Sequence, residues 1–80
     1  MNKIEKIILK FKNKPISLQF SDIEKILLYY GFQKIEAKGS HTKYKHTLLN
    51  NDIVVPIHNN ECKNFYKQHI YKTIKNTFFK

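Results

Sequence analysis

Residues 32–58, FQKIEAKGSHTKYKHTLLNNDIVVPIH, decide the fold, because they alternate as strands do and break twice at turn-forming residues. Phe32 to Lys38 sets Ile35 and Ala37 against Lys34, Glu36 and Lys38. His41 to Leu48 alternates again, and Asp52 to His58 holds Ile53-Val54-Val55, the run of a well-buried strand. Lys38-Gly39-Ser40 and Leu49-Asn50-Asn51-Asp52 separate these segments, and both are of hairpin length and composition. Two short connections in succession predict an antiparallel meander of three strands.

Helical periodicity flanks this stretch on both sides. Ile4, Ile7, Ile8 and Phe11 mark one face of a helix over residues 3–12, which Asn13-Lys14-Pro15 ends. That basic amphipathic helix packs its apolar stripe on the core or, alternatively, lies on a membrane surface. Ser21-Asp22-Ile23-Glu24 fits a capping box; Ile23, Ile26, Leu27 and Tyr30 line the face that follows, and Gly31 closes it. A last helix begins near Asn64, with Tyr66, Ile70, Ile74 and Thr77 or Phe78 as its apolar stripe. Its lysines, Lys63, Lys67, Lys72 and Lys75, are expected in solvent, and its end at Phe78-Phe79-Lys80 is expected to fray unless a partner covers the rings. The order helix, helix, three strands, helix predicts an α+β fold in a single domain over residues 1–80.

Charge narrows the function. Fifteen basic residues, all lysine, stand against six acidic ones for a net +9, which favours a polyanion: nucleic acid, an acidic protein or an anionic surface. Lysine gives point charge rather than a bidentate fork, so phosphates suit it better than base edges. The lone Cys62 excludes an intrachain disulfide, and no stretch approaches the ~20 apolar residues of a membrane span. Ile7-Ile8-Leu9 is too short for a signal-peptide core, so a soluble, cytoplasmic protein is expected.

Parity along the second strand points to a site. Tyr44 is the natural inward residue, with Thr42 and His46, which leaves His41, Lys43 and Lys45 together on the solvent face. Cationic neighbours disfavour the imidazolium, so His41 can serve as a neutral base while the lysines grip a phosphodiester and its transition state.

From Phe20 to Asn76 the chain resembles the HicA family of bacterial toxins. The resemblance is carried by Tyr30-Gly31-Phe32, Lys38-Gly39-Ser40-His41, Tyr44-Lys45-His46, Val54-Val55-Pro56-Ile57-His58 and a closing basic helix with Tyr66 and Gln68. The leading helix, taken as an accessory element over residues 1–14, resembles the longer-headed branch of the family. Thr47 departs from a common proline, Leu48-Leu49-Asn50-Asn51 replaces a short polar turn, and Lys45 stands where arginine is frequent. The resemblance implies a double-stranded-RNA-binding-like α-β-β-β-α core and a toxin that cleaves or blocks translated messenger RNA without a required metal or other cofactor. It implies His41 as the catalytic residue. It also implies a HicB-type antitoxin partner that covers the active surface and binds operator DNA on behalf of the complex. Lys38, Gly39, Ser40, Lys43, Lys45, His58, Lys63 and Lys67 are the expected RNA-binding residues.

Other readings stay open on sequence alone. His46 is a structural histidine or a catalytic aid, and His58 contacts RNA or acts as a second acid-base group. His58, Cys62 and His69 could hold zinc, although no paired ligand spacing is present. Cys62 as a nucleophile lacks a sequence partner. A domain that binds RNA without cutting it, or one directed at an acidic protein, would share the same charge.

Overall fold

The computed structural model describes residues 2–37 and 39–79. Helix α1 (Lys3–Asn13) leads through a 3₁₀ turn (Pro15–Ser17) into α2 (Phe20–Tyr29). Strands β1 (Gln33–Glu36), β2 (His41–Lys45) and β3 (Ile53–Pro56) follow, and α3 (Asn64–Phe78) closes the chain. The strands form one antiparallel sheet in the order β1-β2-β3. The fold is α+β, with the element order that the sequence pattern predicts.

The sheet has one covered face. Tyr44 and Val55 are fully buried, Ile53 nearly so, against Ile23, Ile26 and Leu27 of α2 and Ile70 and Ile74 of α3 in a common core. Phe11 of α1 joins that core without exposure and meets the Tyr71 ring edge-on at 5.3 Å. The register pairs Lys34 with Tyr44 and Ile35 with Lys43. The alternation of β1 is therefore real but its apolar side faces outward: Ile35 is 38% exposed, and Lys34 takes the helix side. A strand's parity follows its ladder partner, and here burying Tyr44 outweighs burying Ile35.

The helix ends correct three expectations. Helix α2 starts at Phe20, and the Ser21–Glu24 capping box does not form: Gln19 is the N-cap and makes no side-chain bond. The ring of Phe20 is buried near Tyr44, so the helix starts two residues earlier than the box would place it, and the Phe20 amide donates to Glu61 Oε1 at 3.1 Å. Asn64 is the first residue of α3 rather than its cap. Phe78 is helical and stacks on Tyr30 at 4.8 Å, while Lys12 lies over Phe79 at 4.5 Å, so the chain itself covers these two rings where fraying was expected; Lys80 lies outside the described residues. The other end of α2 closes as read. Gly31 has φ +91°, its amide donates to Leu28 O, and the Phe32 amide reaches back to Leu27 O.

Two carboxylates tie these elements together. Glu61 Oε1 accepts from the Phe20 and Cys62 amides at 3.1 and 3.0 Å and from Lys67 Nζ at 3.0 Å. Lys67, expected in solvent, is 5% exposed and also donates to Leu18 O at 2.7 Å. Glu24 accepts from Tyr44 Oη at 2.7 Å and Lys34 Nζ at 2.8 Å. Burial pushes both carboxyls up, but their amide, phenol and lysine donors outweigh it and hold both below the ordinary value.

Lys67→Ala strands Glu61 and the Leu18 carbonyl, and a loss of about 3 kcal/mol is expected by urea unfolding, with less lost in Lys67→Met/Glu61→Gln. Both glutamates titrate in the folded chain below the unfolded value of 4.5, so the stability they add is complete above that pH and vanishes as pH falls through their folded values. Urea midpoints measured from pH 7 to pH 3 should drop steeply below about pH 4.5, and the double variant Glu24→Gln/Glu61→Gln should flatten that drop.

Candidate active site

Strand β2 begins where the backbone turns at Gly39 and Ser40. Gly39 has φ +74°, and a Cβ added there would meet nothing within 4 Å, so the backbone conformation alone calls for glycine. The turn is pinned on both sides: Ala37 N donates to His41 O at 3.2 Å, and Ile57 N donates to Ser40 O at 2.8 Å. His41 thus enters the sheet opposite Pro56, with its backbone fixed and its residue exposed. Lys43 and Lys45 follow on the same outer face, beside the partly exposed Ile35 and Val54. The expected trio of one histidine and two lysines is present on one face.

Beside this end of the sheet lies an open cleft of about 700 Å³. The first turn of α2, the β1–β2 turn and the segment after β3 enclose it, and His41 forms part of its rim. Its lining includes Glu24, Lys34 and Glu36 and, from the segment after β3, Asn59, Asn60 and Glu61. Asn59 and Asn60 take φ +53° and +62°, the two left-handed residues of a tight turn closed by reciprocal bonds between His58 and Glu61 at 2.8 and 3.0 Å. The cleft's arrangement could not be read from sequence, because it depends on which residues of three separated segments meet. Parity did hold one signal: Lys34 shares the Tyr44 side of the sheet.

The remaining expected residues divide. Gly39 and Ser40 line the cleft, and Lys38 lies outside the described residues. His58 is exposed and bridges to Glu61 through its backbone but does not line the cleft. Lys63 is the exposed N-cap of α3. Lys67 is spent on Glu61 and Leu18 and is not available as a surface cation, which corrects its place among the RNA-binding residues. Helix-surface spacing had suggested solvent for it, but burial of an ammonium is tolerated once a carboxylate and a carbonyl receive it.

His46 resolves as structural. The Leu48 amide donates to its Nδ1 at 3.0 Å, so Nε2 carries the proton and donates to Tyr30 O at 2.9 Å. Phe32 and Phe78 pack on the ring at 4.9 and 5.1 Å. Cys62 is buried, and burial pushes its thiol up, against the lowering by Lys67, which opposes a thiolate nucleophile. Among the described residues no three His, Cys, Asp or Glu side chains gather as metal ligands, and no helix is long and apolar enough to cross a membrane.

Comparison with family models matches residues 20–75 to the one described as HicA toxin of bacterial toxin-antitoxin. No curated protein and no solved structure matches the chain. The matched span takes in α2, all three strands, the pinned turn at His41, the segment after β3 and most of α3, whereas α1 precedes it. With the matched span covering the sheet, the cleft and both helices that build them, the chain belongs to the HicA toxin family.

Proposed function

We propose that the protein is the toxin of a type II toxin–antitoxin system and acts as a metal-independent endoribonuclease on messenger RNA, with His41 as general acid or base. One observation carries this reading. A histidine with a fixed backbone stands exposed where a lysine-bearing sheet face meets a cleft. Lys43 and Lys45 supply the positive charge that a phosphodiester needs on that face.

The chemistry follows from the substrate. The 2′-hydroxyl oxygen attacks the neighbouring phosphorus, the P–O5′ bond breaks, and a 2′,3′-cyclic phosphate remains. His41 takes the 2′-proton or returns one to the departing 5′-oxygen, while the lysine ammonium groups stabilise the charge that accumulates on the phosphorane. The protein acts in the cytoplasm, and a HicB-type antitoxin covers the His41 face when growth continues. Contact with operator DNA belongs to that complex.

His41→Ala should lower RNA cleavage by at least ~10²-fold without changing the unfolding midpoint, and wild-type cleavage should persist in EDTA. An RNA whose scissile nucleotide is 2′-deoxy should remain uncut; cutting it would overturn the mechanism. Wild-type binding to RNA without fragments would instead identify an RNA-holding domain. Lys43→Ala and Lys45→Ala should each reduce the slope of log affinity against log salt by ~0.7 on single-stranded RNA, measured by fluorescence anisotropy.

A further inference from the structure

The described residues of the cleft beside His41 do not share the charge of the sheet face. Among the described residues the lysine that lines it is Lys34, and that ammonium is held by Glu24 at 2.8 Å. Three carboxylates line it, and two of them are occupied: Glu24 by Tyr44 and Lys34, and Glu61 by two backbone amides and Lys67. Glu36 is different. Its side chain is 83% exposed, and its nearest described cation, Lys34, is 4.0 Å away and already paired. No cation among the described lining residues is left over to receive a phosphate, whereas Glu36 can receive a neutral group that donates hydrogen bonds.

Asn59 and Asn60 line the same cleft as Glu36, exposed on a turn whose closing residue Glu61 is anchored by Phe20, Cys62 and Lys67. Their carboxamides both donate and accept, and the anchored turn lowers the entropy cost of using them. We propose that this cleft is a base-reading subsite and that Glu36, with Asn59 and Asn60, selects guanine next to the scissile phosphate. The carboxylate is the reason for guanine. Guanine alone among the four RNA bases offers two adjacent donors on its pairing edge, the ring N–H and the exocyclic amine, and a carboxylate accepts both in parallel. Adenine and cytosine set an acceptor beside the amine, and uracil sets acceptors on both sides of its single donor. The amides of the turn then reach the guanine carbonyl. The proposal rests on the protein engaging RNA at His41, but it does not require cleavage.

The test uses 2′-O-methyl octanucleotides, which cannot be cut through the 2′-oxygen, of uridine with G, A, C or U at one central position. Anisotropy with the full chain should give about five-fold or tighter binding for central G over central U, the span of a bidentate base contact. Glu36→Gln raises general affinity by removing a negative charge, so the G-to-U ratio is the readout. That ratio should fall toward one, with A and C gaining, because a carboxamide matches the donor-acceptor edge that adenine and cytosine share. Asn59→Gly/Asn60→Gly keeps the left-handed turn and should reduce the ratio with an unchanged melting temperature. Equal affinity for all four bases in the wild type, or a G preference that survives Glu36→Gln, overturns the proposal. A G preference in a protein that fails to cut unmodified RNA supports the subsite and removes the nuclease reading alone.

Discussion

Tyr44 has no exposed surface, yet its phenol must still find a hydrogen-bond partner, and much of the site's geometry follows from that requirement. Glu24, on the adjacent helix, accepts the phenol proton at 2.7 Å, and Lys34 keeps that carboxylate charged from the neighbouring strand. Burial and the nearby carboxylate together raise the phenol above its ordinary range, which keeps it a donor at neutral pH. With Tyr44 fixed inward, period-two geometry leaves no choice for the rest of β2: His41, Lys43 and Lys45 must face out. The same contact holds α2 against β2 and so helps set the width of the cleft that Glu24 and Lys34 line.

Local chemistry was legible in the sequence wherever one segment decides its own shape. The breaks at Gly31, Gly39 and Pro15, the order of three strands and the inward Tyr44 depend on backbone preference and periodicity, and the structure has them. The strands are shorter than the alternation suggested, and β2 ends at Lys45 rather than Leu48, so residues 46–52 and not 49–52 alone connect it to β3. Misreadings cluster where a distant residue supplies the partner. Ser21 and Glu24 have the spacing of a local cap, but the helix starts at Phe20, whose amide is satisfied by Glu61, 41 residues away. Lys67 looks like one more solvated helix lysine until Leu18 and Glu61 are placed beside it. Ile35 looked like a core residue of β1, and only the ladder register shows that it is not. Of the site, His41 and its two lysines were legible, and the cleft was not, because its walls come from three parts of the chain.

Charge is divided across the edge of the sheet. The net +9 dominates composition, but the structure puts exposed lysines on the outer face and carboxylates around the cleft. A uniformly basic surface would hold RNA in many registers at similar energy. On the proposed reading, a basic face bordered by a carboxylate-lined recess would give an RNA strand a preferred side for its phosphates and another for its bases, with specificity set by where positive charge is withheld.

The triple grip on Glu61 also gives the site an order of assembly. A nascent chain extended to residue 58 already contains His41, both lysines and all three strand sequences. It lacks Asn59, Asn60 and Glu61, which line the cleft, and Lys67, whose bond to Leu18 spans 49 residues. Contacts of that separation close large loops and form late. The recess beside the histidine is therefore among the last features to exist during synthesis, so a chain stalled or clipped before this point carries His41 on its strand without the recess that borders it.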